Sequence, residues 1–159
     1  PQSANPIRGT TDHPERGWAM YIYLEPEVAT TFGDETVLDS SVHPPLVHKL
    51  HLSFEGWLGD CIIECFPCFA VTAEARHGIE SARLSGVCFQ GLLVSKSEQF
   101  EELYPERQLP TFYWLQITGI AGQEDFGIAD DYRLVVSSWA LQVLQSFGLE
   151  QALSSPYDG

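Results

Sequence analysis

The chain has 159 residues, with 22 acidic and 8 basic side chains, a formal net charge of -14 and 44% hydrophobic residues. This length suits one hydrophobic core better than two, and the hydrophobic content excludes a chain that is disordered throughout. Because the basic residues are scattered and the net charge is strongly negative, we expect no nucleic-acid partner. The same charge favours either simple solubility or the attraction of a cationic partner.

No stretch of the sequence approaches 18 consecutive apolar residues, and the N-terminus lacks the charged and apolar regions of a signal peptide. We therefore expect no membrane-spanning segment and a cytoplasmic location. In that setting the four cysteines are expected to be reduced thiols rather than a disulfide framework.

The first third of the chain predicts an arm, a strand, a connection and a second strand. Residues 1–17 are mostly polar and contain prolines and glycines, which predicts an extended N-terminal arm, with residues 18–159 forming one globular domain. Residues 18–24 are nearly all apolar and predict a buried strand. Residues 25–45 contain polar clusters and the pair Pro44-Pro45, which predicts an irregular connection.

Residues 46–54 alternate with a period of two, which predicts one strand covered on one side. Its covered face is expected to carry Leu46, His48, Leu50, Leu52 and Phe54. On this interpretation His48 is a core histidine, while His51 lies on the solvated face.

The middle of the chain predicts two strands and two helices. Residues 61–66 form an apolar run that Pro67 ends, and residues 87–94 predict another strand with a bulge or close approach at Gly91. A helix is predicted from residue 73 to about residue 80 with Thr72 as its N-cap. The pattern of Ser95 and Glu98 predicts a capping box for a short helix before Pro105.

The C-terminal part predicts a strand, a hairpin, a helix and a final short strand or tail. Residues 112–118 are the most aromatic strand, and residues 126–129 and 132–136 flank Asp130-Asp131 as a hairpin. Ser137 is placed to cap a helix over 138–147, which Gly148 ends. The whole pattern predicts an α+β fold in which a mixed or antiparallel sheet carries about three helices, largely on one face.

The cysteines offer the first candidate chemistry. Cys61, Cys65 and Cys68 are closely spaced, and with His48, His51 and Cys88 they supply enough sulfur and nitrogen for tetrahedral zinc. They alternate, however, with large apolar residues, which is typical of buried structural thiols. We therefore expect no metal and no cofactor.

Catalytic alternatives lack a supporting motif. A cysteine nucleophile needs an activated thiolate and a histidine base, but the acidic surroundings of these cysteines raise a thiol pKa. Paired carboxylates on polar loops do not provide the two different environments that acid–base catalysis needs. Nucleotide-binding and serine-hydrolase signatures are absent from the sequence. We therefore expect a protein that is not an enzyme.

An aromatic side chain with an acidic rim has the composition of a protein-binding surface. If the loops around Trp57 converge, several carboxylates surround its ring, and further acidic pairs lie near the C-terminus. The predicted partner-binding residues are Asp34, Glu35, Asp39, Glu55, Trp57, Asp60, Glu124, Asp125, Asp130 and Asp131.

From Cys65 onward three segments carry a likeness to a known group: ECFPCFAVT, VSKSEQFEELYPERQLPTFYWLQITGIAG and EDFGIADDYRLVVSSWALQVLQSFGL. Over about the last 95 residues the chain resembles uncharacterised bacterial proteins that are linked to the immunity proteins of polymorphic toxin systems. The double C-x-x-C-G metal motifs of one such group are missing here. The resemblance implies neutralisation of a cationic toxin domain by tight binding, and it transfers no active-site residue.

Two other functions stay open at this point. One is a small enzyme that uses zinc or a cysteine nucleophile. The other is an adaptor module in which the acidic surface only confers solubility.

Overall fold

The computed structural model describes residues 20–159, so the predicted arm over 1–17 and the start of the predicted strand over 18–24 lie outside the described residues. Within 20–159 the chain forms thirteen strands and three helices. The α+β prediction is confirmed, although strands in four separate sheets, rather than helices over one sheet, make up most of the fold. The division into an arm and one domain stays a prediction.

Seven strands precede the first helix, and the remaining strands and helices follow in mixed order. The strands are β1 (Tyr21–Glu25), β2 (Thr30–Phe32), β3 (Val37–Asp39), β4 (Leu46–Lys49), β5 (His51–Phe54), β6 (Ile62–Cys65), β7 (Cys68–Thr72), β8 (Val87–Gln90), β9 (Leu93–Lys96), β10 (Phe112–Ile117), β11 (Phe126–Ile128), β12 (Leu134–Ser137) and β13 (Leu153–Pro156). The helices are α1 (Ala73–Ser81), α2 (Glu98–Leu103) and α3 (Ser138–Ser146).

Two of the sheets have four strands each, in the orders β11-β12-β1-β13 and β6-β7-β10-β8, and all of their pairs are antiparallel. The third sheet has the order β2-β5-β9 and contains the parallel pair β5–β9. The hairpin of β3 and β4 forms a two-stranded sheet. The prediction of mixed or antiparallel strand pairing is therefore confirmed, although the pairs are distributed over several sheets.

The sheet β6-β7-β10-β8 separates two hydrophobic cores. Successive side chains of a strand point to opposite faces, and on β7 Phe69 and Val71 enter one core while Cys68 and Ala70 enter the other. On β10, Leu115 enters the same core as Phe69, and Trp114 enters the same core as Cys68. A strand that is buried on both faces reads as a continuous apolar run, which is why residues 68–72 lack the alternation of a half-exposed strand.

The helices are divided between these cores. Ala75 and Ile79 of α1 and Ala140 and Leu144 of α3 share the core that also contains β1 and β12, whereas Phe100 of α2 is buried in the other. Helices α1 and α3 also pack closely on each other. Two of the three helices therefore share one side, and α2 departs from the predicted arrangement.

The caps predicted for the longer helices are confirmed. The Thr72 side chain accepts a hydrogen bond from Ala75 N at 3.2 Å, and the Ser137 side chain accepts one from Ala140 N at 3.0 Å. The predicted cap of α2 is wrong by two residues, because Ser95 belongs to β9 and Ser97 accepts from Phe100 N at 3.0 Å. Gly148 has a φ of +108° just after α3, as a terminating glycine should.

The predicted strand over 46–54 is two strands. Strand β4 pairs with β3, while β5 pairs with β2 and β9. Leu50, Leu52 and Phe54 are buried as expected, but Leu46 is 54% exposed and His48 is exposed, so the assignment of His48 to the core is wrong. The physical reason is that the β3–β4 hairpin is an outlying sheet of two strands.

The predicted strand over 87–94 also divides, at Gly91: β8 pairs with β10 in the middle sheet and β9 pairs with β5. The predicted irregular connection over 25–45 contains β2 and β3. The predicted hairpin around Asp130-Asp131 is confirmed as β11 and β12.

Candidate functional site

Two of the ten predicted partner-binding residues are interior. Asp60 is 2% exposed and Asp125 is 1% exposed, so neither offers a surface to a partner. Both residues lie in segments that the sequence predicts to be polar loops, where a carboxylate is expected to be exposed. Carboxylates are seldom fully buried unless they are hydrogen-bonded. Both carboxylates are hydrogen-bonded, and their role is to hold the fold together.

Asp60 fixes the segment after α3. Its two carboxylate oxygens accept hydrogen bonds from Glu150 N and Gln151 N, each at 2.8 Å, and its carbonyl accepts one from Trp57 Nε1 at 3.0 Å. Nearby, the buried Glu27 accepts from Leu58 N at 2.6 Å, and burial raises the pKa of the Glu27 carboxyl. These two carboxyls hold the loop between β5 and β6 from inside.

Asp125 joins three parts of the chain. Its carboxylate accepts hydrogen bonds from Ser85 N at 2.9 Å, from Ser85 Oγ at 3.3 Å and from Ser137 Oγ at 2.7 Å. Because Ser137 is the N-cap of α3, the negative charge also lies at the end of the helix dipole that favours it. Asp125 is therefore a structural residue, and its assignment to a binding surface is wrong.

Trp57 is half-buried, and its ring contacts an aromatic side chain and an arginine. Its ring packs edge-on against Phe112 with centroids 5.7 Å apart, and the Arg107 guanidinium lies 5.1 Å from its centroid. A cation over an indole face is a favourable pair that already occupies the ring. The convergence of acidic loops around Trp57 stays a prediction, since the contacts of this side chain are with Phe112, with Arg107 and, through Nε1, with the carbonyl of Asp60.

The turn between β2 and β3 is an exposed acidic site. Asp34 and Glu35 are both exposed, and Glu35 lies 3.6 Å from Lys49 Nζ. His51 holds this turn, because its Nδ1 accepts from Glu35 N at 3.0 Å. The turn is thus a firmly held pair of carboxylates beside one lysine.

Three further predicted residues are partly exposed and form local hydrogen bonds. Asp39 accepts from Ser41 N at 2.9 Å, and its hydrogen bonds from Ser41 lower the pKa of the Asp39 carboxyl. Glu55 lies 3.4 Å from Thr31 Oγ1, and Glu124 accepts from Ile120 N at 3.0 Å. These contacts are local, and none of them joins the three carboxylates to Asp34, Glu35 or Trp57.

Asp130 and Asp131 form the exposed turn of the β11–β12 hairpin. Asp131 lies 2.8 Å from Arg133 Nη2, and the hydrogen bond from the Arg133 backbone N–H, followed by that from its side chain, lowers the pKa of the Asp131 carboxyl. Arg133 also lies over the Tyr23 ring, 3.5 Å from its centroid, and 3.9 Å from Glu25. The turn therefore presents carboxylates beside an arginine that is already engaged on two sides.

Next to this turn, three exposed rings from three different loops meet in what we call the aromatic cluster, defined as His43, Phe66 and Tyr132. The ring centroids are 6.2 Å apart for His43 and Phe66, 5.5 Å for His43 and Tyr132, and 6.4 Å for Phe66 and Tyr132. Phe66 is 44% exposed and Tyr132 is 40% exposed. Sequence reasoning missed this cluster. The one local signal was a tyrosine directly after a turn, where glycine or asparagine is usual.

Three of the four cysteines, Cys61, Cys65 and Cys68, are at least partly buried thiols whose pKa is raised. Burial raises the pKa of the Cys61 thiol and of the Cys68 thiol to about 12, and burial also raises that of Cys65. Cys61 donates to Leu144 O at 3.3 Å, and the exposed Cys88 lies 3.3 Å from Gln116 Oε1. Between residues 20 and 159 no group of three or more histidines, cysteines and carboxylates is placed to hold a metal ion.

His51 and Ser95 resemble half of a hydrolase site by distance alone. His51 Nε2 lies 2.8 Å from Ser95 Oγ. The backbone N–H of Glu35 can only donate, so His51 Nδ1 must be an acceptor and, in the neutral ring, Nε2 must carry the hydrogen. His51 therefore donates to Ser95 and cannot take its proton, which is the opposite of nucleophile activation.

The half-buried Glu64 predicts a measurable pH effect on stability. Burial, and then the nearby Glu25 carboxylate, raise the pKa of Glu64 to about 6 from an ordinary 4.5. A raised carboxyl pKa contributes stability that is full below pH 4.5 and is lost as the pH rises through about 6. We expect Glu64→Gln to raise the free energy of unfolding at pH 7.5 by roughly 1 kcal/mol, after allowing for solvent screening, and to change it little at pH 4.5.

Urea denaturation at pH 4.5, 6.0 and 7.5 measures this effect, with Glu106→Gln on an exposed loop as the matched control. The control should run parallel to the wild type at all three pH values. An equally parallel Glu64→Gln profile would contradict the raised pKa of the half-buried Glu64.

The comparisons with known proteins leave function to be argued from the geometry. No protein-family model matches the chain, and no curated protein matches it. Within the described residues, no helix is both long enough and apolar enough to cross a membrane. Among the described residues, the surface features from which a function can be argued are the two acidic turns, Asp34-Glu35 and Asp130-Asp131, and the aromatic cluster.

Proposed function

We propose that this chain is an immunity-type protein of the cytoplasm that neutralises a cationic toxin domain by binding it through an acidic surface. The observation that carries the proposal is the net charge of -14 together with exposed carboxylates on two firmly held turns. A negative field of this kind speeds the encounter with a positively charged partner and disfavours wrong partners. The likeness of the last 95 residues to proteins of toxin systems points the same way.

The positive side chains of the described residues are mostly engaged within the molecule. Lys49 faces Glu35, Arg76 faces Glu80, and Arg133 lies between Asp131 and Glu25. Lys96 donates to Arg107 O at 2.6 Å, and Arg107 itself lies over Trp57. Lys49 and Arg133 neutralise part of the charge of the two turns, so the attraction of a cationic protein rests on the net charge of -14 of the whole chain.

The alternative of a small enzyme has weaker support. The Cys61 and Cys68 thiols stay protonated at neutral pH, and His51 donates to Ser95 rather than accepting from it. Neither arrangement supplies an activated nucleophile. Binding through a rigid surface uses what the chain offers without requiring a catalytic group.

Co-expression of this chain with the cationic toxin domain that it is proposed to neutralise tests the proposal. We expect the toxin domain to be retained in a pull-down and its toxicity to be suppressed. The association rate should fall at least tenfold between 50 and 500 mM NaCl, because salt screens the attraction between exposed charges.

Charge-neutralising variants separate binding from mere solubility. The double variants Asp34→Asn with Glu35→Gln and Asp130→Asn with Asp131→Asn keep the shapes of the two turns and remove their charge. At least one of them should slow association severalfold. If both bind as the wild type does, the acidic turns confer only solubility and the adaptor alternative gains support.

A further inference from the structure

We propose that the aromatic cluster is the anchor of the binding surface, and that it receives a basic protein segment in which lysines or arginines flank an aliphatic or aromatic side chain. This inference rests on the proposed function and assigns a place and a partner chemistry to it. It moves the predicted aromatic anchor from Trp57 to His43, Phe66 and Tyr132.

Convergence is the first argument. His43 lies in the β3–β4 loop, Phe66 in the β6–β7 turn and Tyr132 at the β11–β12 turn, and these hairpins belong to three different sheets. Other exposed apolar residues of the described chain, such as Val28 and Leu153, are single side chains, which are normal on protein surfaces. Three rings within 6.4 Å of each other, all partly open to solvent, form a patch of the kind that interfaces use.

The backbone of Tyr132 is the second argument. Tyr132 N donates to Ala129 O at 2.9 Å, Ala129 N donates to Arg133 O at 2.9 Å, and Tyr132 has a φ of +70°. A bulky residue in this left-handed region is strained, and glycine or asparagine would fit the hairpin better. Stability alone therefore does not account for a tyrosine here, whereas an exposed ring for a partner does.

A shallow apolar groove is lined in part by residues that are close in the chain to two of the rings, and it offers room for the side chain at the centre of the segment. The loops that carry the rings also contribute walls to this groove. It is lined by, among others, Pro45, Leu46, Pro67, Trp114, Ile117 and Ile128. Because Pro45 and Pro67 are close in the chain to His43 and Phe66, one ligand segment can contact both the rings and the groove.

The charged side chains near the three rings indicate that the partner segment is basic. Asp130 and Asp131 directly precede Tyr132, Glu64 precedes Phe66 by two residues, and Glu25 lies close enough to Glu64 to raise its pKa. Arg133 is the neighbouring cation and is held by Asp131 and Glu25. Near the rings in the chain, carboxylates thus outnumber cations, and a lysine or arginine of a partner would complement this excess of negative charge.

The test uses the synthetic peptide Lys-Lys-Phe-Phe-Lys-Lys, titrated into the isotope-labelled full chain and followed by NMR. We expect the largest shifts at the three loops of the cluster. Phe66→Ala and Tyr132→Gly should each raise the Kd at least fivefold, while Tyr132→Gly keeps or raises the melting temperature. Peptides with alanine for phenylalanine, or glutamate for lysine, should bind at least fivefold more weakly.

Arg83→Gly is the matched control, because Arg83 also has a positive φ, of 56°, but lies just after α1. It should bind the peptide as the wild type does. Shifts centred on Asp34 and Glu35, equal binding of the alanine peptide, or no binding at all would each overturn the inference. So would a dimer in light scattering that Phe66→Ala dissolves, since the patch would then serve a second copy of this chain.

The co-expressed toxin domain separates the two proposals. If the wild type, Phe66→Ala and Tyr132→Gly all retain it equally, this inference fails and the proposed function stands. If the wild type does not retain the toxin domain while the peptide still maps to the cluster, the proposed function fails and the docking surface stands.

Discussion

Replacing Asp125 with alanine is expected to lower the free energy of unfolding by about 3 to 5 kcal/mol. The reason is that the hydrogen-bond donors of Ser85 and Ser137, which now share the buried Asp125 carboxylate, would lose their acceptor. Ser85 N and Ser137 Oγ would lose acceptors at 2.9 and 2.7 Å, and Asp125, which supplies these acceptors, is itself only 1% exposed. The loss also weakens the connection of β11 to the start of α3. Urea denaturation at neutral pH measures the change.

A graded series makes this result specific. Asp125→Asn keeps one acceptor oxygen and should cost less than Asp125→Ala. Asp131→Ala, on the exposed hairpin turn, removes a carboxylate of the same type and should lower the free energy of unfolding far less than Asp125→Ala does. Equal losses for Asp125→Ala and Asp131→Ala would show that the buried hydrogen bonds contribute little.

The second large effect is expected at Gly86. Gly86 has a φ of +90°, and a Cβ built on it would lie 2.2 Å from Phe126 O, a backbone atom that cannot rotate away. Gly86 O also accepts hydrogen bonds from Thr118 N at 2.7 Å and Gly119 N at 3.1 Å, so the local backbone is fixed. We expect Gly86→Ala to lower the free energy of unfolding by about 3 kcal/mol or more.

Two other glycines separate the causes of this loss. Gly59 also has a positive φ, of +110°, but a Cβ there meets no atom within 4 Å, so Gly59→Ala reports the backbone strain alone. Gly91 has open space and no positive φ, so Gly91→Ala should change stability by less than about 1 kcal/mol. The expected order of loss is Gly86, then Gly59, then Gly91, and thermal and urea unfolding both measure it.

Local patterns predicted the elements whose signals are contained within a few residues. Thr72 and Ser137 cap their helices as expected, and the β11–β12 hairpin forms where the acidic pair predicted a turn. The alternation over 46–54 correctly identified Leu50 and Leu52 as buried. It could not reveal that β4 and β5 pair with different partners, because period two is the same on both sides of such a break.

The candidate site was predictable in composition but not in position. An aromatic anchor beside carboxylates was expected at Trp57, and the carboxylates of Asp130 and Asp131 do lie beside exposed rings, though those rings are on other loops. Whether Trp57 meets an acidic loop or Arg107 depends on packing between segments 50 residues apart in the sequence. The burial of Asp60 and Asp125 likewise depends on distant donors, namely Glu150 N and Ser85 N.

The origin of the three rings in three separate sheets makes the aromatic cluster a discontinuous epitope. No short fragment of the chain contains it, and a partly folded chain in which one hairpin is detached would lack one ring of the three. A ligand of this epitope would bind the native state in preference to the unfolded state. Its occupancy would therefore add to the stability of the fold in proportion to the logarithm of ligand concentration.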